Sequence, residues 1–422
     1  MYLIKIIQKT ILIFILCSQF LTVEVKAYSQ TSSEVQNSTV LSTNDIARIT
    51  DSMNSYIDKG QLAGVMTLIA QGGNIIHWQA AGMRDIESKE PLEVNNIFRI
   101  YSMTKPITST AIMILVDRGK IALNDPVSKY IPEFSKLKVM DENGSTHSLD
   151  QPVTVKHLLT HTSGLTYGFF GETNVDKMYQ KANIFASTSL KDFVTKVSNL
   201  PLLSQPGEKW NYSVSTDILG YIIQQASGQS FESFLEDNIF KPLGMVDTAF
   251  WVPSDKYNRF VSRYKFKDNK LQPVDSAYKE KPLWHSGGGG LVSTAADYLR
   301  FTQMIMQNGT LESVQILKSD TAKLMQINHL PENHPPIDLG PWFPKAYGFG
   351  LGFATLTNAE LTNEDDHNGI IRWAGIANTF FWIDPEKELI AMIWTQIDPW
   401  LVHNIDNDFN KLVYDILQNK NP

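Results

Sequence analysis

An α/β protein with one sheet assembled from both ends of the chain, and a mostly helical region inserted between them, is the fold class this sequence predicts. Three observations predict it. A helix-spaced apolar pattern and a hairpin follow residue 44, a helical stretch punctuated by Pro and Gly fills the middle, and aromatic and β-branched runs return before a closing helix. Strands at both ends that need a common partner imply a single sheet, with the helical middle packed beside it.

The elements follow in order. From Asn44, the residues Ile46, Ile49, Met53 and Ile57 recur at helix spacing until Gly60. Val65 to Ala70 and Ile75 to Ala81 read as strands, joined by Gln71-Gly72-Gly73-Asn74, a hairpin signal. Near the end, Tyr347 to Ala354, Thr379 to Ile383 and Leu389 to Thr395 read as strands, with a turn at Asp384-Pro385-Glu386. A last helix from Asp406 to Leu417 carries Phe409, Leu412, Val413 and Ile416 on one face. Residues 44–98 and 285–422 are therefore expected to form the α/β domain, and 99–284 the mostly helical one. The charged stretch Lys265 to Lys281 reads as a mobile hairpin or loop.

The first 27 residues differ from the rest. Lys5 and Lys9 precede a short apolar run, Ile11 to Cys17, and Val25-Lys26-Ala27 offers small residues for cleavage. This pattern predicts a signal peptide and an exported, periplasmic or secreted protein. The run is shorter than the ~20 residues that cross a bilayer, so no stable membrane span is expected after cleavage. Residues 28–43, rich in Ser, Thr, Gln and Asn, read as a flexible leader. Cys17 is the only cysteine, so a chain cleaved near Tyr28 has no disulfide, thiolate nucleophile or cysteine ligand. The formal charge is −7 without a basic stripe, which sets nucleic-acid binding aside.

The sequence lacks Gly-x-Ser-x-Gly and His-Glu-x-x-His, but contains Ser102-Met103-Thr104-Lys105. Ser and Lys three apart at a helix start share a face, and a desolvated lysine loses proton affinity and can accept the serine proton. The same spacing recurs at Ser135/Lys138, Ser262/Lys265 and Ser276/Lys279, yet only the first runs into an unbroken apolar stretch, Ala111 to Val116. Pro106 disfavours helical geometry at Lys105, at the edge of the first turn. Tyr212-Ser213-Val214 precedes a helix from Asp217 to Gln225; a tyrosine hydroxyl near a lysine ammonium can act as a general base. Trp373-Ala374-Gly375 precedes the last hairpin, where a glycine admits close approach and the following amide, that of Ile376, can donate to an oxyanion.

Together, Ser102-x-x-Lys105, Tyr212-Ser213 and Trp373-x-Gly375 resemble the three motifs of the class C β-lactamase-like serine hydrolases. His157-Leu-Leu-Thr-His-Thr-Ser-Gly-Leu165, Pro242-Leu-Gly-Met245 and Gly287-Gly-Gly-Gly-Leu-Val-Ser-Thr294 are similar to that family's scaffold, and the likeness covers about residues 44–418. It implies a β-lactamase/DD-peptidase-like fold, with Ser102 as nucleophile, Lys105 and Tyr212 handling its proton, and the amides of Ser102 and Ile376 as oxyanion donors. It implies no cofactor and a small-molecule ester or β-lactam-like substrate. Two positions depart from the pattern: Val214 stands where an asparagine is usual, and Trp373 where a lysine or histidine holds a substrate carboxylate. Loss of one charge-assisted hydrogen bond should weaken anion binding about tenfold to a hundredfold. This is similar to the family's carboxylesterase branch, which cleaves short-chain esters and sometimes transfers acyl groups. Arg372 could partly restore anion binding, so a β-lactamase or penicillin-binding DD-peptidase is the alternative. A catalytically silent binding protein is the rival from another class.

The remaining features have plainer readings. His157 and His161, four apart, suit packing and hydrogen bonding better than a metal, for want of an obvious third ligand; Asp365, Asp366 and His367 cluster far along the chain. Gly287–Gly290 lacks the Lys and Ser/Thr of a phosphate loop and reads as a turn close to the active-site strand. Gly348, Gly350 and Gly352, on alternate positions of a predicted strand, suggest close approach of another backbone.

Overall fold

The computed structural model describes residues 41–274, 277–340, 343–362 and 366–418. The expected signal peptide and most of the expected leader lie outside them. The leader's end does not behave as a leader. Leu41 is buried, and Ser42 caps the first helix, α1 (Thr43–Asp58). The Ser42 hydroxyl accepts from the Asp45 amide at 3.2 Å while the Asp45 carboxylate accepts from the Ser42 amide at 3.0 Å. That reciprocal pairing fixes where the helix begins.

Among the described residues, eight strands form one antiparallel sheet. Three come from the front of the chain, β1 (Gly64–Gln71), β2 (Asn74–Asp85) and β3 (Glu90–Pro91). Five come from its end: β4 (Tyr347–Phe349), β5 (Ala354–Leu356), β6 (Ile371–Gly375), β7 (Thr379–Asp384) and β8 (Leu389–Trp394). Their spatial order is β4-β5-β6-β7-β8-β1-β2-β3. The two halves meet where β1 pairs with β8, from Met66 opposite Trp394 to Gln71 opposite Leu389. This is the sheet built from both termini that the sequence predicts.

Every residue of β7 and β8 is buried, so both faces of the sheet are covered. Successive side chains of a strand point to opposite faces. Phe381 packs on Tyr298 of helix α4 (Ala295–Met306), and its neighbour Trp382 packs on Phe409 of α5 (Ile405–Gln418). These two helices therefore cover opposite faces, and α5 lies beside α1.

The predicted strand Tyr347 to Ala354 is two strands, β4 and β5, with a turn between them. Gly350 and Gly352 lie in that turn, so the three glycines do not share one strand. The close approach they imply is real: a Cβ on Gly352 would strike Ser109 Oγ, and one on Gly350 the Met325 carbonyl. Between β3 and β4 the chain is largely helical. Its centre is α2 (Thr104–Asp117), buried from Thr104 through Leu115, packed against α3 (Ser215–Ser227). The charged stretch near Lys265 forms the hairpin Arg263–Lys267 and Lys270–Val274, whose first strand is held by parallel pairing with Ile397–Asp398. Among the described residues, no helix is long and apolar enough to cross a membrane.

Candidate active site

Ser102 lies in a one-turn 3-10 helix, Tyr101–Met103, that leads directly into α2. Pro106 explains the division: it cannot donate a backbone hydrogen bond, and it sits in the first turn of α2 where no donor is needed. Tyr101 holds φ of +42°, a left-handed conformation uncommon for a non-glycine residue, so the backbone immediately before Ser102 is strained. Lys105, one residue into α2, is 1% exposed.

The Lys105 Nζ has three close partners. Ser102 Oγ lies at 3.2 Å, the Tyr167 hydroxyl at 2.8 Å and the Gly288 carbonyl oxygen at 2.6 Å. It also sits 4.5 Å from the centre of the Tyr212 ring. Burial lowers the Lys105 pKa to about 7, against the opposing pull of the Asp217 carboxylate. Asp217 is itself buried at the start of α3, and burial raises its pKa. Its Oδ1 accepts from the Ser286 hydroxyl and from the Gly288 amide, the latter at 2.9 Å.

Tyr212 is buried, and that burial raises its pKa, while Ser102 and Trp373 pull it down. Its hydroxyl is close enough to both to feel them but completes a hydrogen bond with neither. Its ring packs edge-on to Trp373, with centroids 5.4 Å apart. Ser213 turns inward: its hydroxyl meets His161 Nδ1 at 3.1 Å and Ser215 Oγ at 2.9 Å. Val214 is fully buried, so the residue at the usual asparagine position does not face the cleft.

Trp373 and Gly375 lie on β6 and share a face with Phe381, hence the α4 side of the sheet. β5 pairs with β6 only at Ile371 and Arg372, so the outer edge of Trp373–Gly375 is left open. Gly375 is required here, because a Cβ would overlap the Ile100 carbonyl oxygen two residues before Ser102. The amides of Ser102 and Ile376 both border this seam, and neither is spent on a backbone hydrogen bond among the described residues. Thus Ser102, Tyr212, Trp373, Gly375 and Ile376, from three distant stretches, line one cleft, with Lys105 beneath Ser102.

Other expectations resolve differently. Ser135 is exposed, and its hydroxyl donates to the Pro132 carbonyl; Ser262 bonds Asp85; Ser276 lies outside the described residues. Among the described pairs, only Ser102 has its lysine within hydrogen-bond distance. His157 completes the cap of the helix Val155–Leu159, while His161 falls beyond that helix, so the two do not present one face. Burial and the nearby Lys105 hold the pKa of His161 well below its ordinary value, which makes it a neutral partner for Ser213. The glycine run approaches α2 and Asp217, not the strand: Gly287 accepts from Thr108 Oγ1 at 2.8 Å, and a Cβ on Gly288 would strike Asp217 Oδ2. Arg372 is spoken for, with Nη2 3.1 Å from Asp406 Oδ2. Asp365 lies outside the described residues; His367 pairs with Asp384 at 2.9 Å.

Two participants escape sequence reasoning, Tyr167 and Asp217. Tyr167 follows the His157–Leu165 stretch and opens an aromatic cluster with Phe169 and Phe170, which is the only local sign of a lined cleft. Asp217 reads from sequence as an ordinary acidic residue in a helix's first turn. The cleft above Ser102 has a volume of about 960 Å³ and a mainly aromatic wall that includes Tyr101, Phe169, Trp210, Tyr278, Trp284 and Trp400.

Comparison with known proteins matches residues 47–415 to the family described as Beta-lactamase. Protein Rv1367c of Mycobacterium tuberculosis is 32% identical over 359 residues, covering 82% of this chain and 89% of that protein. Esterase EstB of Burkholderia gladioli is 29% identical over 376 residues, covering 83% and 90%. The solved structure of EstCE1, a hydrolase with promiscuous acyltransferase activity, superposes with a TM-score of 0.76 at 24% identity, covering 89% of this chain and 98% of that one. With the family match running from α1 into α5, the chain belongs to the beta-lactamase family.

Proposed function

We propose that the chain is a serine hydrolase that cleaves carboxylic esters through an acyl-enzyme on Ser102. The observation that carries this reading is the buried Lys105 amine, with a pKa near 7, beside the Ser102 hydroxyl. A neutral amine offers two N–H donors and one lone pair. The Gly288 carbonyl can only accept, so it takes one N–H, and Tyr167 can take the other. The lone pair is then free to receive the Ser102 proton. Ser102 Oγ bonds the ester carbon, and the resulting oxyanion is stabilised by the Ser102 and Ile376 amides. The bond between the carbon and the leaving oxygen breaks as Tyr212 gives its phenolic proton to the leaving alcohol, and Lys105 passes the proton it took from Ser102 to Tyr212. Water then attacks the acyl-enzyme and releases the acid. EstB, a relative named as an esterase, supports the choice of bond.

Trp373 supports an ester over a penicillin as substrate. It places an apolar wall where the family pattern puts a cation. The size of the cleft also favours a second reading, acyl transfer: a cleft of about 960 Å³ leaves room for an alcohol beside a short acyl group. Product analysis with a competing alcohol separates the two, since only transfer yields the new ester.

The test of the main reading is hydrolysis of 4-nitrophenyl acetate and butyrate by the purified chain and its Ser102→Ala variant. The variant should lose roughly 10³-fold or more in kcat, and equal rates would end the proposal. Rapid nitrocefin turnover would favour the β-lactamase reading instead. The lysine-flanked apolar run of the first 27 residues supports export. Sequencing the N-terminus of protein recovered outside the cytoplasm should find a start near Tyr28; a chain still beginning at Met1 would contradict it.

A further inference from the structure

The cleft is aromatic but not uncharged. Among its described lining residues are the carboxylates Glu280, Asp338 and Asp406 and the guanidinium of Arg372. Lys105 lies beneath Ser102, outside that lining. Arg372 is the cation a carboxylate-bearing substrate would seek. It projects from β6 on the face opposite Trp373, since it pairs with Trp382 across the ladder. There it meets Asp406 in the first turn of α5 at 3.1 Å, with both side chains largely shielded, 16% and 13% exposed. The Tyr347 hydroxyl and Asp366 stand near it as well. An anion entering this wall would have to displace Asp406 or approach it as a like charge in a partly desolvated setting.

We propose that Asp406 is a specificity-determining residue: by neutralising Arg372 at the cleft wall it turns the site away from carboxylate-bearing esters and toward uncharged ones. The proposal rests on ester cleavage at Ser102 for its meaning but not for its test. Trp373 removes one anion-holding group, and the Asp406–Arg372 pair silences the next. Uncharged acyl and alcohol groups are then selected by rejection of the charged competitor as much as by contact with the aromatic wall. Asp406→Asn keeps the shape and one acceptor oxygen while removing the charge.

Two measurements decide it. The first is kcat/KM for 4-nitrophenyl butyrate against the 4-nitrophenyl half-esters of succinate, glutarate and adipate, whose carboxylates reach different distances along the wall. The native chain should prefer butyrate at least tenfold. Asp406→Asn should narrow that ratio about tenfold for the half-ester whose length fits, and Arg372→Gln added to it should remove the gain. Arg372→Gln alone leaves the Asp406 carboxylate uncompensated and should widen the ratio further against the half-esters. The second measurement is independent of turnover: calorimetric binding of butyranilide and glutaric acid mono-anilide to chains carrying Ser102→Ala, with and without Asp406→Asn. If no ester is cleaved, the hydrolase reading fails while this arm still reports on the wall. An unchanged ratio in both arms after Asp406→Asn would overturn the proposal. So would a tenfold weaker acid binding in the Asp406→Asn, Arg372→Gln double variant than in the chain with both residues native, which would mean the guanidinium already receives the carboxylate.

Discussion

Lys105 is where burial becomes chemistry. Its amine titrates near pH 7 because desolvation penalises the ammonium, and Asp217 opposes that shift by attraction. The base must be unprotonated, so kcat/KM should rise tenfold per pH unit below about 7 and flatten above it. Asp217→Asn removes the attraction, further favours the neutral amine, and should move that acid limb to lower pH; the Asn side chain can still accept from Ser286 and Gly288. A pH–rate profile of the two proteins checks both statements, and a limb that stays in place would remove Asp217 from the account of Lys105. The same group gives a stability signature. Its folded pKa is depressed below the unfolded value, so the unfolded chain binds more protons between about pH 7 and the ordinary lysine range. The cost of burying Lys105 is therefore full below pH 7 and is relieved as pH rises above it. At this scale the sequence was legible wherever a side chain's partner lay nearby or within a recognised stretch, as for Ser102 and Lys105. It was silent on Tyr167, which stands 2.8 Å from Lys105 across 62 positions of chain. Two residues that meet only through the fold impose no spacing on each other.

Elements turn those side chains into a site through close backbone approach. β6 must pass against the residues preceding Ser102, and only a glycine at 375 permits it, since any Cβ overlaps the Ile100 carbonyl. Gly375→Ala should therefore push β6 outward, separate the Ile376 amide from Ser102 and cost about 10²-fold in kcat. The fold should persist, because β6 remains paired to β7 over its five residues. Comparing kcat with the thermal midpoint tests this: a variant equally active would show that the two segments adjust without Gly375. Long elements with a strong period were legible to within a residue or two, α1 and α5 among them. The exception is instructive. Tyr347 to Ala354 is apolar throughout, and its glycines read as a strand's close-approach face. In the structure Gly352, at φ of +98°, makes the turn that splits it into β4 and β5. Apolar content says that a segment is buried, but not whether it runs straight. The glycine run at 287–290 misled for a related reason: its need for close approach was plain, while its neighbours, α2 and α3 and not a strand, belonged to the tertiary fold.

The whole molecule depends on joining its two ends, and this was readable because strands at both termini had no other place to pair. The join is the β1–β8 ladder, sealed on one face by α5 lying against α1 and the sheet. α5 buries Phe409, Val413, Tyr414, Ile416 and Leu417. At about 1.5–3 kcal/mol for each large apolar side chain removed from water, these amount to roughly 10 kcal/mol. Net stabilities of folded domains are about 5–15 kcal/mol, so the helix accounts for a share comparable to the whole margin. A chain ending at Asn404 should fail to give a cooperative thermal transition, and it should expose Trp382, which packs on Phe409, to solvent. Circular dichroism during heating and tryptophan emission would measure the two effects. A shortened chain that melted sharply within a few degrees of the full one would mean that α5 merely covers the sheet. The active-site wall would then lose Asp406 without losing its scaffold. Failure to melt cooperatively would instead bind the two termini, the sheet and the Ser102 cleft into one folding unit, as the pairing of β1 with β8 requires.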